Sequence, residues 1–252
     1  MMKKLFYITG LTLICNCLSG QLPVGSWSDH LRYNSATSIA GNSEEIYAST
    51  GSSILAYNSK YNELRKLSPV NGLSQTGISA IGFSDETRML IIAYTSTNID
   101  LVTGNKVHNI PDIYNRNIQG NKRINRIRTL GKYAYLTTGF GIVVVDIVRM
   151  EIHDTWRPGP GAASNEVFDI AFGNSKVYAA TINGVWQADL SNQGLAYFGN
   201  WNQVTSLPEP DSKCTLVIFS GETLYCNISQ GSTGDMIYAI NGGTRLFSFN
   251  SG

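Results

Sequence analysis

The sequence predicts an all-β fold assembled from repeated four-stranded antiparallel sheets. Three observations predict it. A short apolar segment recurs around Ile39, Ile81, Ile127, Ile170 and Val217, at spacings of 42, 46, 43 and 47 residues. Each recurrence is followed by three more strand-like segments separated by turn residues. The composition agrees, because 25 Gly and 13 Tyr in a chain that is 42% hydrophobic suit many strands and tight turns. Four antiparallel strands in a unit of about 40 to 47 residues mark a β-propeller. A sheet with two apolar faces cannot stand alone in water, and radial stacking buries both faces against neighbours. A β-sandwich also has short, regular strands, but it does not repeat in groups of four at this period.

Residues 1–20 read as an export signal. Lys3 and Lys4 precede an apolar stretch from Leu5 to Leu18, too short for the roughly 20 residues that span a bilayer. Ser19 and Gly20 offer small residues for cleavage, which places the domain at 21–252. Neither Cys15 nor Cys17 sits in a good context for lipid attachment. No later segment is long and apolar enough to be transmembrane. The protein is therefore expected to be exported.

GSWSDHLRY, residues 25–33, alternates as a strand does. Its GSW resembles GNW at Gly199–Trp201, so it reads as a fourth strand without its first three. In a propeller such a strand closes the ring. The fifth unit carries its own fourth strand, TRLFSF, so the partner of residues 25–33 is expected outside this chain. On that basis the chain is an N-terminal fragment, about five blades of a larger ring of about seven.

The blades start near residues 37, 78, 124, 167 and 214. Their second strands are EIYAST, MLIIAY, YAYLTT, KVYAAT and TLYCNI, and their third strands SILAYN, NIDLV, GIVVVD, GVWQAD and MIYAIN. The fourth strands are ELRKL, KVHNI, EIHDTW, YFGNW (Tyr197–Trp201) and TRLFSF, more polar and suited to a solvent rim.

Side-chain chemistry is sparse. The formal charge of +1 gives no basic stripe for nucleic acid. His30, His108 and His153 are the only histidines, and none stands at metal-ligand spacing from another His or a Cys. No nucleophile elbow, zinc-protease helix or phosphate-binding loop is present. Asp146 and Asp189 end third strands at equivalent repeat positions, which suits turn hydrogen bonds better than a catalytic pair. No catalytic residue, cofactor or metal is therefore expected. Asn227-Ile228-Ser229 matches a glycosylation sequon, a pattern common by chance. Cys214 and Cys226 flank one predicted hairpin and are candidates for a disulfide, with two buried thiols as the alternative. Trp156, Trp186 and Trp201 are candidates for a binding face, with packing between blades as the alternative.

The segment NGLSQTGISAIGFSDETRMLIIAYTSTNIDLV, residues 71–102, resembles PorZ-like proteins of the bacterial type IX secretion machinery. WSDHLRY at Trp27–Tyr33 and LTTGFGIVVVD at Leu136–Asp146 resemble them too. NGLS followed by IS-x-I also occurs in the sensor propellers of two-component regulators, and the IAY, NIDL and GFGIVVVD segments favour the PorZ-like family. That resemblance implies a non-catalytic scaffold in the periplasm or at the cell surface of a Gram-negative bacterium, supporting a PorU-like sortase partner and engaging anionic lipopolysaccharide. The alternative is the periplasmic, ligand-sensing propeller of a hybrid two-component regulator. A propeller enzyme would need acids or histidines clustered on one face of the ring.

Overall fold

A computed structural model describes residues 27–118, 120–163, 165–231, 234–240 and, as backbone alone, 244–249. The expected export signal, with Gly25 and Ser26, lies outside the described residues. Five four-stranded antiparallel sheets follow one another along the chain. The first contains β1 (Ser38–Gly41), β2 (Glu45–Ser49), β3 (Ile54–Asn58) and β4 (Glu63–Leu67). The second contains β5 (Ile78–Ser84), β6 (Met89–Tyr94), β7 (Ile99–Thr103) and β8 (Lys106–Ile110), and a one-turn helix α1 (Asp112–Asn115) leads out of it. The third contains β9 (Ile124–Leu130), β10 (Tyr133–Thr138), β11 (Gly141–Asp146) and β12 (Glu151–Trp156). The fourth contains β13 (Val167–Gly173), β14 (Lys176–Thr181), β15 (Gly184–Asp189) and β16 (Asn202–Gln203). The fifth contains β17 (Cys214–Ser220), β18 (Thr223–Ser229), β19 (Asp235–Ile240) and β20 (Thr244–Phe249).

In every sheet the strands pair in sequence order, so each blade is a simple meander. The first strands also pack in series, β1 on β5, β5 on β9, β9 on β13 and β13 on β17. Among the described residues the series does not return from β17 to β1. The blades form an unclosed propeller.

Four apolar layers fill the spaces between successive blades. Tyr47, Ile54, Leu90 and Ile92 join the first two blades. Ile91, Ile99, Leu136 and Val145 join the second and third. Ile142, Val144, Val177 and Ala179 join the third and fourth, and Ala180, Val185, Leu224 and Cys226 the fourth and fifth. A blade between two others is covered on both faces, so its inner strands are buried along their length and mostly apolar. All six residues of β6 and all six of β11 are buried. Leu90, Ile91 and Ile92 alone contribute roughly 5–9 kcal/mol of burial, at about 1.5–3 kcal/mol each. The terminal blades have one covered face, and their strands alternate. Ile54 and Ala56 of β3 are buried while Leu55 and Tyr57 between and after them are not. Strand β18 alternates half-buried and buried along its whole length.

Two elements differ from the sequence-based expectation: YFGNW, and the ring-closing strand expected at residues 25–33. YFGNW is not a fourth strand. Phe198–Asn200 form a 3-10 turn, and the strand that follows is only Asn202–Gln203. Local hydrogen bonds win over the ladder here. The Tyr197 amide donates to the Gly194 carbonyl and the Asn200 side chain donates to the same oxygen at 2.7 Å. The Trp201 indole then donates to Leu195 O at 3.0 Å and anchors the turn in the blade interface. The GNW segment that GSW resembles is therefore turn, not strand. Consistent with that, residues 27–33 carry no strand, and Trp27 is 84% exposed.

Candidate functional site

The most elaborate polar site is built from the segments that carry the resemblance. Strand β7 reads Ile99-Asp100-Leu101-Val102, and its Asp100 points into an apolar layer with no exposure at all. Four donors meet its carboxylate. Ser74, from the NGLS turn, gives its backbone N–H to Oδ2 at 2.8 Å and its hydroxyl to Oδ1 at 2.6 Å. The Tyr94 hydroxyl, from IAY, donates to Oδ2 at 2.5 Å, and the Asn109 amide donates to Oδ1 at 2.8 Å. A buried carboxylate is tolerated when hydrogen bonds satisfy it. Burial, with the Asp100 carboxylate beside it, pushes the Tyr94 phenol far above its usual range. The arrangement clamps the NGLS turn, which links the first and second blades, onto the second blade's sheet. All four residues lie in segments legible as turn or strand from the sequence, but nothing in those segments says that they meet. The signal was an Asp inside an otherwise apolar strand.

A second polar site lies on the inner strands. Asp169 of β13 is fully buried, and Arg128 of β9 grips it through two bonds, Nε to Oδ1 at 3.0 Å and Nη2 to Oδ2 at 2.9 Å. Arg126, two residues earlier, approaches Oδ1 at 3.5 Å. One carboxylate thus holds two guanidiniums, and the excess charge is positive. Arg128, Ile170, Phe172, Ile218 and Phe219 are among the residues lining a cavity of about 220 Å³ between the inner strands.

Cys214 and Cys226 are both buried free thiols in the structure. In the ladder Cys214 stands opposite Ile228 and Cys226 opposite Val217, a diagonal relation across a bulge. The Cys214 thiol donates to the Leu216 carbonyl at 3.4 Å. Burial, and then the neighbouring Cys226 thiol, raise its pKa well above the usual range.

The three tryptophans face the layer between the third and fourth blades, not a solvent-exposed face. Trp186 and Trp201 are buried in it and Trp156 packs on it half-buried. The rings of Trp156 and Trp201 lie 6.3 Å apart, and Trp156 also meets Tyr135 at 5.2 Å. Each indole N–H is used: on Asp154, Asn183 O and Leu195 O.

His108 and His153 are exposed on fourth strands, with His153 against the Tyr133 ring, and His30 is exposed in the N-terminal stretch. No group of three or more His, Cys, Asp or Glu side chains has metal-holding geometry among the described residues. Asp146 and Asp189 work as turn acceptors. Asp146 Oδ1 takes the N–H groups of Val148 and Arg149, and Lys132 sits 3.2 Å from its Oδ2. Asp189 Oδ1 takes both the N–H and hydroxyl of Ser191. The sequon residue Asn227 spends its amide on Thr215 and Asp235 within its own blade.

Stacked four-stranded meanders, with polar clamps between blades, define a β-propeller module. The chain belongs to the family of PorZ N-terminal β-propeller domains of TSS9, the type IX secretion system, whose model matches residues 46–202, more than half of the chain. Among solved structures it is similar to one titled as PorZ, an essential bacterial surface component of the type-IX secretion system of Porphyromonas gingivalis. The TM-score is 0.74 at 22% identity, over 88% of this chain and 29% of that one. At that identity the likeness shows the fold, and this chain spans less than a third of that relative. Comparison with curated proteins finds no match.

Proposed function

We propose that this chain is the propeller part of a non-catalytic, extracytoplasmic scaffold in a type IX attachment complex. The observation that carries the proposal is the family match over residues 46–202. The scaffold supports a PorU-like sortase partner and engages anionic lipopolysaccharide. Support for the anionic ligand comes from the inner strands. Arg126 and Arg128 together outweigh Asp169, both side chains are more than a third exposed, and Arg128 borders a cavity with apolar walls. A guanidinium already fixed by a buried carboxylate loses little further freedom on meeting a phosphate or sugar carboxylate. The stable inter-blade layers suit a platform for partners. Deleting the gene in the source bacterium tests the proposal. Type IX cargo is expected to appear unattached in the medium, and cargo that stays normally attached to the cell surface overturns it.

A further inference from the structure

One contact recurs between blades. A second-strand tyrosine packs on a phenylalanine from the first strand of the next blade: Tyr47 on Phe83 at 5.4 Å, Tyr135 on Phe172 at 4.8 Å and Tyr178 on Phe219 at 5.8 Å. In the second blade Ile91 holds the tyrosine's place. The residue opposite this position on the third strand points into the same layer. It is Ala56, Leu101 and Val144 in the first three blades, and Gln187 in the fourth. A polar side chain there is out of keeping with the repeat.

The fourth blade differs in a second respect. In the third blade the full-length β12 brings Trp156 over Tyr135. In the fourth, β16 is two residues long, and among the described residues no ring covers Tyr178 apart from Phe219. The space left is a cavity of about 270 Å³ between the fourth and fifth blades. Its apolar part is Val204, Leu224, Ile240 and the stacked Tyr178–Phe219 pair, 11° from parallel, with Phe219 seated over Gly173, where any Cβ would collide with the ring. Its polar part is Asn174, Gln187, Ser206 and Glu222. Asn174 and Glu222 sit in hairpin turns at φ +49° and +64°, so backbone geometry fixes where they stand. The side chains of Asn174, Ser206 and Glu222 make no hydrogen bond or ion pair with any described residue, and Gln187 uses only its Oε1, toward Lys176 at 3.2 Å.

We propose that this cleft binds a neutral sugar ring. The ligand class follows from the groups present. A carboxylate accepts from hydroxyls, two amides and a serine both donate and accept, and stacked aromatic rings receive the C–H face of a pyranose. Glu222 is the only charged residue in the lining, and the Lys176 ammonium is engaged on Gln187 Oε1 at 3.2 Å, so the lining itself offers phosphate no cation. The volume falls just below the roughly 300–1,000 Å³ of pockets for drug-sized ligands, which suits one ring. The cleft shares Phe219 with the cavity beside Arg128, but its polar groups are different ones and it does not depend on the anionic-ligand proposal.

The test is ligand-observed saturation-transfer NMR on the purified chain, with the methyl glycosides of glucose, galactose, mannose and N-acetylglucosamine, and with inorganic phosphate as a further probe. At least one glycoside is expected to receive saturation. Gln187→Leu, which restores the repeat's apolar residue, is expected to weaken that glycoside at least about tenfold while its thermal midpoint stays level or rises. Glu222→Gln, on an exposed turn, is expected to weaken it in the same direction. Absence of transfer to all four glycosides, binding of phosphate in their place, or unchanged binding by both folded variants overturns the proposal.

Discussion

Replacing Asp100 tests whether the NGLS clamp holds the first two blades together. The carboxylate is fully buried and receives four hydrogen bonds. Asp100→Asn keeps the shape and presents one NH2 where an oxygen was. If that NH2 takes the Oδ2 place, it faces the Ser74 backbone N–H, which cannot become an acceptor. If it takes the Oδ1 place, it faces the Asn109 amide, which also donates to Ile99 O at 3.1 Å and cannot flip without losing that bond. Either arrangement leaves one donor facing another in a dry layer, at about 1–3 kcal/mol. With about 2–4 °C per kcal/mol for a domain of this size, the thermal midpoint should fall by roughly 2–12 °C. Asp100→Ala strands all four donors and should cost more, roughly 4 kcal/mol. Thermal unfolding followed by tryptophan fluorescence measures both, and limited proteolysis at residues 69–77 reports release of the turn. A Asp100→Asn midpoint within about 1 °C of the parent would refute the argument, because the geometry allows no harmless amide.

Other consequences follow from the remaining polar groups. Arg128→Ala removes the bidentate partner of buried Asp169 and should destabilise by roughly 2–3 kcal/mol, below the 3–5 kcal/mol of a fully stranded charge because Arg126 remains. Arg126→Ala should cost under about 1 kcal/mol, and urea unfolding of the two variants side by side measures the ratio. Asp146 supplies a pH dependence. Burial alone would raise its pKa, but the Arg149 N–H, the Lys132 ammonium and the Val148 N–H together leave it below the usual carboxylate value. Its stabilisation is complete above the unfolded-state pKa of about 3.9 and is lost as pH falls through the lower folded-state value. Stability measured from pH 6 to pH 2 should therefore drop less steeply in Asp146→Asn than in the parent.

The blade rhythm was legible because it depends on apolar spacing and turn residues, which one strand's local sequence states directly. MLIIAY, YAYLTT, GIVVVD and KVHNI each occupy in the structure the residues they occupy in the sequence-based reading. The failure at Tyr197–Trp201 has a definite cause. That segment is as aromatic as a strand, and what bends it is the Gly194 carbonyl, six residues upstream of the Asn200 side chain that it binds. Propensity does not register a side chain that closes its own loop. The polar clamps were invisible for a different reason. Ser74 and Asp100 are 26 residues apart, Arg128 and Asp169 are 41 apart, and periodicity says nothing about which polar residue meets which.

Departures from the repeat carry more information about function than the repeat does. Thr138 and Thr181 end their second strands and Thr50 directly follows its own, and each bonds a carbonyl across the hairpin: Gly141, Gly184 and Ser53. The second blade has Tyr94 at that place, and its hydroxyl turns instead to Asp100. A repeat position that serves every blade needs only a generic residue, so a change there must serve something particular to its blade. For Tyr94 that is the clamp on the NGLS turn, within the stretch that resembles the family most. Gln187 is the same kind of departure, with a different consequence. Tyr94 found buried partners and became structural. The amide nitrogen of Gln187 found none in the protein and faces a cavity, and a polar group placed against the trend of its repeat, with capacity to spare, is where a ligand gains most from binding.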